Sequence, residues 1–352
     1  MPTKKFSGKY KQIIDLINSG VHTAYPGAVC CIGTSINRTP IIFSTGYKQL
    51  VPVPEKMDTA TIFDLASLTK PIATATAIML LRDKHKLDIN DKVGKYLSWF
   101  HGNEKQGVTL KHLLAHTSGL PATVSYLKNN NFLTRTELIK KIQSTKLCYT
   151  PNKKVLYSDL NFILLGWITE KVSGQKLNVF CKTQIFRKLG MRETGYNTSS
   201  SNIIIQRYAA TEFCRYRAKV VRGSVHDEVS YILGGTAGHA GLFSTAFELS
   251  LFCGMMLNGG KYGNTTVLSP ESISLMTQNH TPGLNASRGL GWGVIDKNIY
   301  GHTGFTGTSI WINNLRKTYM VLLTNRVHPT RDNMAIAGIR KQLLKHFIAL
   351  RG

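Results

Sequence analysis

The chain has 352 residues, 42% of them hydrophobic, and carries a formal net charge of +25. That length allows a large buried core, as one unit or two intimate subdomains. The longest apolar runs, Ile72–Leu81 and Leu160–Ile168, fall far short of the ~20 residues that span a bilayer, and residues 1–20 are basic without the apolar stretch of an export signal.

Neither a transmembrane segment nor secretion is therefore expected, and the expected compartment is the cytoplasm. The six cysteines (Cys30, Cys31, Cys148, Cys181, Cys214, Cys253) form no C-x-x-C pair. They read as reduced, mostly buried thiols, which suits that compartment. The positive charge has two readings: attraction to an anionic partner such as a carboxylate-bearing substrate, or a solvated basic surface. Lys and Arg are spread along the chain, with short clusters at Lys4–Lys11 and Arg340–Lys345. No RNP-like motif, zinc finger or basic-region heptad is present, so no nucleic-acid partner is expected.

In chain order, residues 9–19 place Ile13, Ile14, Leu16 and Ile17 as in an amphipathic helix. Ala28–Thr34 and Ile41–Thr45 read as strands joined by a turn at Asn37–Pro40. A helix opens at Ser67 and ends near Lys84. Val108–Leu120 reads as a helix stopped at Ser118-Gly119, and Asp159–Val172, apolar almost all round, as a buried helix. Gly234–Gly241 is a glycine-rich loop, after which Thr245 and Glu248 form a capping box. Strands follow near Thr308–Ile312 and Thr318–Thr324 with a turn at Asn313–Arg316, then a helix over Met334–Leu350. No internal repeat appears. Strands sit at both ends and helices fill the middle, which predicts an α/β (α+β) fold: an antiparallel sheet flanked by helices, with a mostly helical inserted subdomain. The expected organisation is one unit over 7–350, its α/β part 7–65 plus 285–350 and its helical part 66–284.

Ser67-Leu68-Thr69-Lys70 is the most informative segment. A serine hydroxyl becomes a nucleophile when a base takes its proton, and a lysine three residues on shares its helix face. Two other S-x-x-K matches, Ser125–Lys128 and Ser173–Lys176, run into a loop signal and a helix end. Only Ser67 opens a long helix, whose amino end also disfavours a charged Lys70. Tyr157-Ser158-Asp159 can supply a phenol as base or relay, or a helix cap. His302-Thr303-Gly304, read as preceding a strand, has small residues that let a substrate lie along the strand edge. The Phe305 N–H can then join that of Ser67 in an oxyanion hole. His112 and His116 stand at i,i+4, but no H-E-x-x-H glutamate or third ligand accompanies them. No metal and no cofactor is expected.

The ordered set Ser-x-x-Lys, Tyr-x-Asp, His-Thr-Gly resembles the serine β-lactamase and penicillin-binding protein superfamily. It is most similar to the class C β-lactamase-like branch, which includes esterases and D-amino-acid peptidases. Phe63–Lys70, Leu87–Val93, Thr109–Pro121 and Gly289–Gly293 extend that resemblance over roughly residues 10–345. Val221–Glu228, Gly234–Thr245 and Leu322–Asn333 resemble the low-molecular-weight penicillin-binding-like subgroup, also found fused behind family 3 glycosidases. The resemblance implies Ser67 as acyl-accepting nucleophile, with Lys70 and Tyr157 as base and relay. It implies Asp159, His302, Thr303, Gly304 and Phe305 on the substrate, and His226, Asp227 and His239 in loops beside the cleft or in their scaffold. Asp159 stands where β-lactam-active members often have asparagine, and a carboxylate cannot donate to a substrate carbonyl. His302 replaces the lysine of K-T-G and carries little charge near neutral pH. The expected activity is therefore hydrolysis of D-amino-acid peptides or esters of peptidoglycan origin. The rival readings are a promiscuous carboxylesterase or weak β-lactamase, and a non-catalytic binding or scaffold protein. The expected partner is a small, in part anionic peptide or ester; the oligomeric state is left open.

Overall fold

The computed structural model describes residues 8–35, 39–102, 104–197 and 204–350. Asn37 and Arg38 of the expected turn, residues 4–7 of the Lys4–Lys11 cluster and residue 7 of the expected unit lie outside them.

Seven antiparallel strands form the main sheet: β1 (Gly27–Thr34), β2 (Ile41–Gln49), β3 (Glu55–Lys56), β4 (Gly293–Val294), β5 (Ile299–Thr303), β6 (Ser309–Asn313) and β7 (Thr318–Thr324). Their spatial order is β4-β5-β6-β7-β1-β2-β3, so strands from both ends of the chain meet where Ala28 pairs with Thr324 and Cys31 with Val321. Strict alternation splits their side chains between two cores. Val29, Cys31, Ile310, Ile312, Val321 and Leu323 face the helical layer. Ala28, Cys30, Ile32, Trp311, Met320 and Leu322 pack with Ile13 and Ile17 of the first helix and Leu343 and Phe347 of the last. Both faces are covered, which explains why β7 is buried at every position. All six cysteines are free thiols, and only Cys148 is exposed.

The first helix spans Gly8–Ser19 and the last Ile336–Ala349. Between them, Asp159–Ser173 is buried along most of its length and ends on Gly174 in the left-handed conformation. Ala246–Leu257 lies against β1 and β7 and opens on Thr245, whose side chain accepts from the Glu248 amide. The capping box is only half formed there. Glu248 instead accepts from the Glu193 amide and the Thr194 hydroxyl.

Two expectations change. The helix read over Val108–Leu120 is confined to Leu110–Leu114. Its continuation is broken by left-handed backbone at His116 (φ 58°) and Gly119 (φ 85°). His302-Thr303 precedes β6 only across a turn and is itself the end of a strand, β5. β4 pairs with β5 only at Gly301 and Tyr300, so the β5 edge beyond Gly301 is left uncovered by β4. Among the described residues, no helix is long and apolar enough to cross a membrane.

Candidate active site

The backbone around Ser67 is not a plain helix start. Ala66 is left-handed (φ 46°), a conformation that costs a β-carbon residue energy. A short tight turn over Ala66–Leu68 follows, then a wider π-type turn over Lys70–Ala75 that includes Pro71, before an α-helix over Thr76–Asp83. Such irregular turns recur at functional sites. Here they lift Ser67 into partial exposure while Lys70 is fully buried.

The Lys70 ammonium donates to Ser67 Oγ at 3.0 Å and to the His239 carbonyl at 3.3 Å. Its Nζ lies 2.7 Å from Asp159 Oδ1 and 4.7 Å from the Tyr157 ring centroid. Burial opposes the lysine's charge, but the Asp159 carboxylate and then Tyr157 outweigh it, and the pKa ends above its ordinary value. The helix-end effect expected to neutralise Lys70 is thus overridden by a contact partner.

Tyr157 is packed between His116, with ring centroids 4.5 Å apart, and His302 at 5.9 Å. His116 Nδ1 accepts from the Ser158 amide at 3.0 Å, so this ring holds the Tyr157–Asp159 segment in place. His112 accepts from the Thr109 amide as a helix cap. Among the described residues no group of three or more His, Cys, Asp or Glu is placed to hold a metal. His302 Nδ1 lies 2.9 Å from the Thr303 carbonyl, its only hydrogen-bond acceptor here, so that nitrogen carries the proton. Burial, with Lys70 and Arg288 nearby, keeps the His302 pKa well below the ordinary histidine value. The ring is neutral and offers Nε2, which has no partner.

The turn after β5 is bonded onto the Ser67 turn. Thr306 donates to the Asp64 carbonyl at 2.8 Å and Thr308 to the Leu65 carbonyl at 3.0 Å. That sets the Phe305 main chain beside Ser67. Gly304 is required by the approach: a Cβ there would overlap Thr308 Oγ1 and lie 2.5 Å from the Leu65 carbonyl.

Ser67, Tyr157, His302, Thr303, Gly304 and Phe305 line one cleft of about 730 Å³. Three guanidinium groups, Arg288, Arg326 and Arg340, line it too, and no carboxylate does. Arg340 donates to the Gly304 and Thr308 carbonyls, and Arg326 to that of Phe305. Arg288 sits 5.4 Å from the Tyr157 ring centroid, with its Nε unpartnered. Sequence reasoning missed all three arginines, and only the position of Arg288 directly before Gly289–Gly293 was a usable signal. His226, Asp227 and His239 are not in the cleft wall. His226 stacks on Phe305 at 5.6 Å, and His239 Nε2 lies 2.8 Å from Asp227 Oδ1 while its carbonyl takes the Lys70 proton contact. The Asp227 carboxyl, held by His239 and the Ser230 amide, stays well below the usual carboxylate range despite burial.

A serine-bearing turn set between the end of an antiparallel sheet strand and a helical layer is the architecture of the serine β-lactamase and penicillin-binding protein superfamily. The Beta-lactamase family profile matches residues 21–344, and the chain belongs to that family. An N-acetylmuramyl-L-alanine amidase of Bacillus subtilis (strain 168) is 32% identical over 93% of this chain and 83% of its own length. A putative D-alanyl-D-alanine carboxypeptidase of Escherichia coli (strain K12) is 33% identical over 80% of this chain and 73% of its own. Among solved structures, the octameric penicillin-binding protein homologue from Pyrococcus abyssi superposes with a TM-score of 0.73 at 21% identity, covering 97% of this chain and 77% of that one. EstCE1, a hydrolase with promiscuous acyltransferase activity, gives 0.74 at 21% identity over 96% and 98%. These two likenesses concern the fold.

Proposed function

We propose that the chain is a serine hydrolase that forms an acyl-enzyme on Ser67 and cleaves amide or ester bonds in D-amino-acid peptides or related fragments of peptidoglycan origin. The observation that carries this reading is the Ser67–Lys70–Asp159 chain of contacts (3.0 and 2.7 Å) opening into a cleft lined by three arginines and no carboxylate. The names of the two curated relatives, an amidase and a putative carboxypeptidase, support the same substrate class.

The chemistry follows from the protonation states. Ser67 Oγ adds to the carbonyl carbon, and the oxyanion is held by the Ser67 and Phe305 amides. Lys70 already carries its full set of protons. It therefore takes the serine proton only as it hands one of its own to the Asp159 carboxylate in contact with it. Collapse of the tetrahedral intermediate breaks the bond to the leaving amine or alcohol, which receives that proton back through Lys70. A water then repeats the sequence on the acyl-enzyme, releasing the acid and restoring the serine. Arg288 is placed to meet a substrate carboxylate, a task the neutral His302 performs poorly.

Incubation with muramyl-peptides, D-alanyl-D-alanine peptides and p-nitrophenyl esters, alongside Ser67→Ala, tests the reading. A transient mass adduct on Ser67 and preference in kcat/KM for the wall fragments are expected. Absence of any adduct and of turnover sinks it, and faster turnover of the simple esters reassigns the protein to general carboxylesterase activity.

A further inference from the structure

Asp64 is 3% exposed, two residues before the left-handed Ala66. Its Oδ1 accepts from the Ala66 amide at 2.8 Å and its Oδ2 from the His226 amide at 2.6 Å. Its main-chain carbonyl accepts from Thr306 at 2.8 Å. One residue therefore ties the serine turn to two segments 162 and 242 positions away in sequence, the His226 loop and the turn that carries Phe305. No cation forms an ion pair with this carboxylate among the described contacts, and an unpaired buried charge is costly.

We propose that Asp64 is a positioning residue whose carboxylate holds the strained Ala66–Ser67 turn in register with the Phe305 amide, so that the nucleophile is competent only while Asp64 is ionised. The inference rests on the reading of Ser67 as nucleophile. An ionised carboxylate accepts from both amides at once; protonation converts one oxygen into a donor facing an amide donor.

Burial pushes the Asp64 carboxyl up to about 6, against the two amide bonds. Of the charged groups around it, Asp227 adds to the rise and Arg217 opposes it. His226, which supplies only its amide, is itself held neutral by burial, its pKa near 4. The paired strand Leu242–Ser244 and the turn Gly304–Thr308 contribute no titratable side chain.

The experiment is the rate of covalent labelling by a fluorophosphonate, in which Ser67 Oγ displaces fluoride from phosphorus and no natural substrate is needed. Labelling of the wild type is expected to fall as pH drops through about 6. Asp64→Asn supplies one acceptor where two are needed. It is expected to label on the order of tenfold to a hundredfold more slowly at pH 8, as for a misplaced nucleophile, and to lose the limb near 6. Arg217→Gln, which removes the opposing cation together with its hydrogen bonds to the Val225 and His226 carbonyls, is expected to move that limb to higher pH. Thermal melting at pH 8 establishes that each variant is folded. A folded Asp64→Asn that labels like the wild type with the same acid limb overturns the inference. If Asp64→Asn does not fold, an acid limb unmoved in Arg217→Gln overturns it alone. A wild type that takes no label fails at Ser67 itself and takes this inference with it.

Discussion

Lys70 and Asp159 are joined by a 2.7 Å contact in which the ammonium is wholly buried and the carboxylate side chain is 29% exposed. The pair adjoins Ser67: Asp159 Oδ1 neutralises the ammonium that reaches Ser67 Oγ.

Asp159→Asn is expected to lower the Lys70 pKa, because the largest influence offsetting burial is removed. The pH–rate profile for ester hydrolysis should move to lower pH. Because the folded-state lysine pKa is raised, the pair's stabilisation is fully present below the ordinary lysine range and is lost only as pH climbs above it. The variant's loss of stability should thus be about 1–3 kcal/mol, below the full cost of breaking a buried pair because the carboxylate is partly solvated. Over about pH 6 to 9 it should be largest at the acid end and shrink as the unpaired lysine deprotonates with rising pH. Fluorescent-penicillin labelling should accelerate, since asparagine can donate to an amide carbonyl. An unmoved profile would show that Asp159 does not set the charge of Lys70.

Gly304→Ala should disable the site without unfolding it. The added Cβ meets Thr308 Oγ1 and the Leu65 carbonyl, so the Phe305 amide must shift. A fall in kcat of about 10²–10³, the size of losing one oxyanion donor, is expected, with little change in KM. Steady-state kinetics on one ester decides it, and a wild-type kcat would remove Phe305 from the oxyanion hole.

Arg288→Ala should separate charged from neutral substrates. Loss of a charge-assisted hydrogen bond costs about 1.5–3 kcal/mol, so kcat/KM for a carboxylate-bearing peptide should fall roughly tenfold to a hundredfold. Turnover of a neutral p-nitrophenyl ester should hold nearly constant. Equal losses on both would make Arg288 a support for Tyr157 instead.

Acid should unfold the protein early. Burial holds His116, His226 and His302 neutral, with pKa values below the ordinary histidine value. Histidines with depressed folded-state pKa stabilise above about pH 6.5, and that contribution is lost as pH falls toward the folded values. Asp64, raised to about 6, works in the opposite sense and offsets part of this. Stability should therefore fall as pH drops from about 6 toward 4. Chemical denaturation across that range measures the slope, and a flat line would mean that water or a partner already reaches these rings.

Much of the fold is legible in the sequence because alternation is strong where both faces of a strand are buried, as in Thr318–Thr324, and because Thr245 and Gly174 mark helix ends by their own chemistry. Val108–Leu120 misleads because the apolar periodicity continues past the point where His116 turns left-handed to bond Ser158. Ser67, Lys70 and Tyr157 are legible because their spacing is local or motif-borne. Arg288, Arg326, Arg340 and Asp64 are not, since their roles arise from contacts between distant segments that no short pattern encodes. His226 is legible only as a loop residue, because its stacking on Phe305 depends on two loops meeting.

The pairing of β1 with β7 has a consequence for how the protein comes into being. Gly27–Thr34 can pair at once with β2 but finds its other neighbour only when Thr318–Thr324 has been made. Loop closure over nearly the whole chain must precede the central strand pair, which slows folding and keeps apolar strands waiting. The Ser67 turn is held by Thr306 and Thr308, which also arrive late. A nascent chain that stops short of Thr306 and Thr308 therefore carries Ser67 and Lys70 without the hydrogen bonds that hold the serine turn.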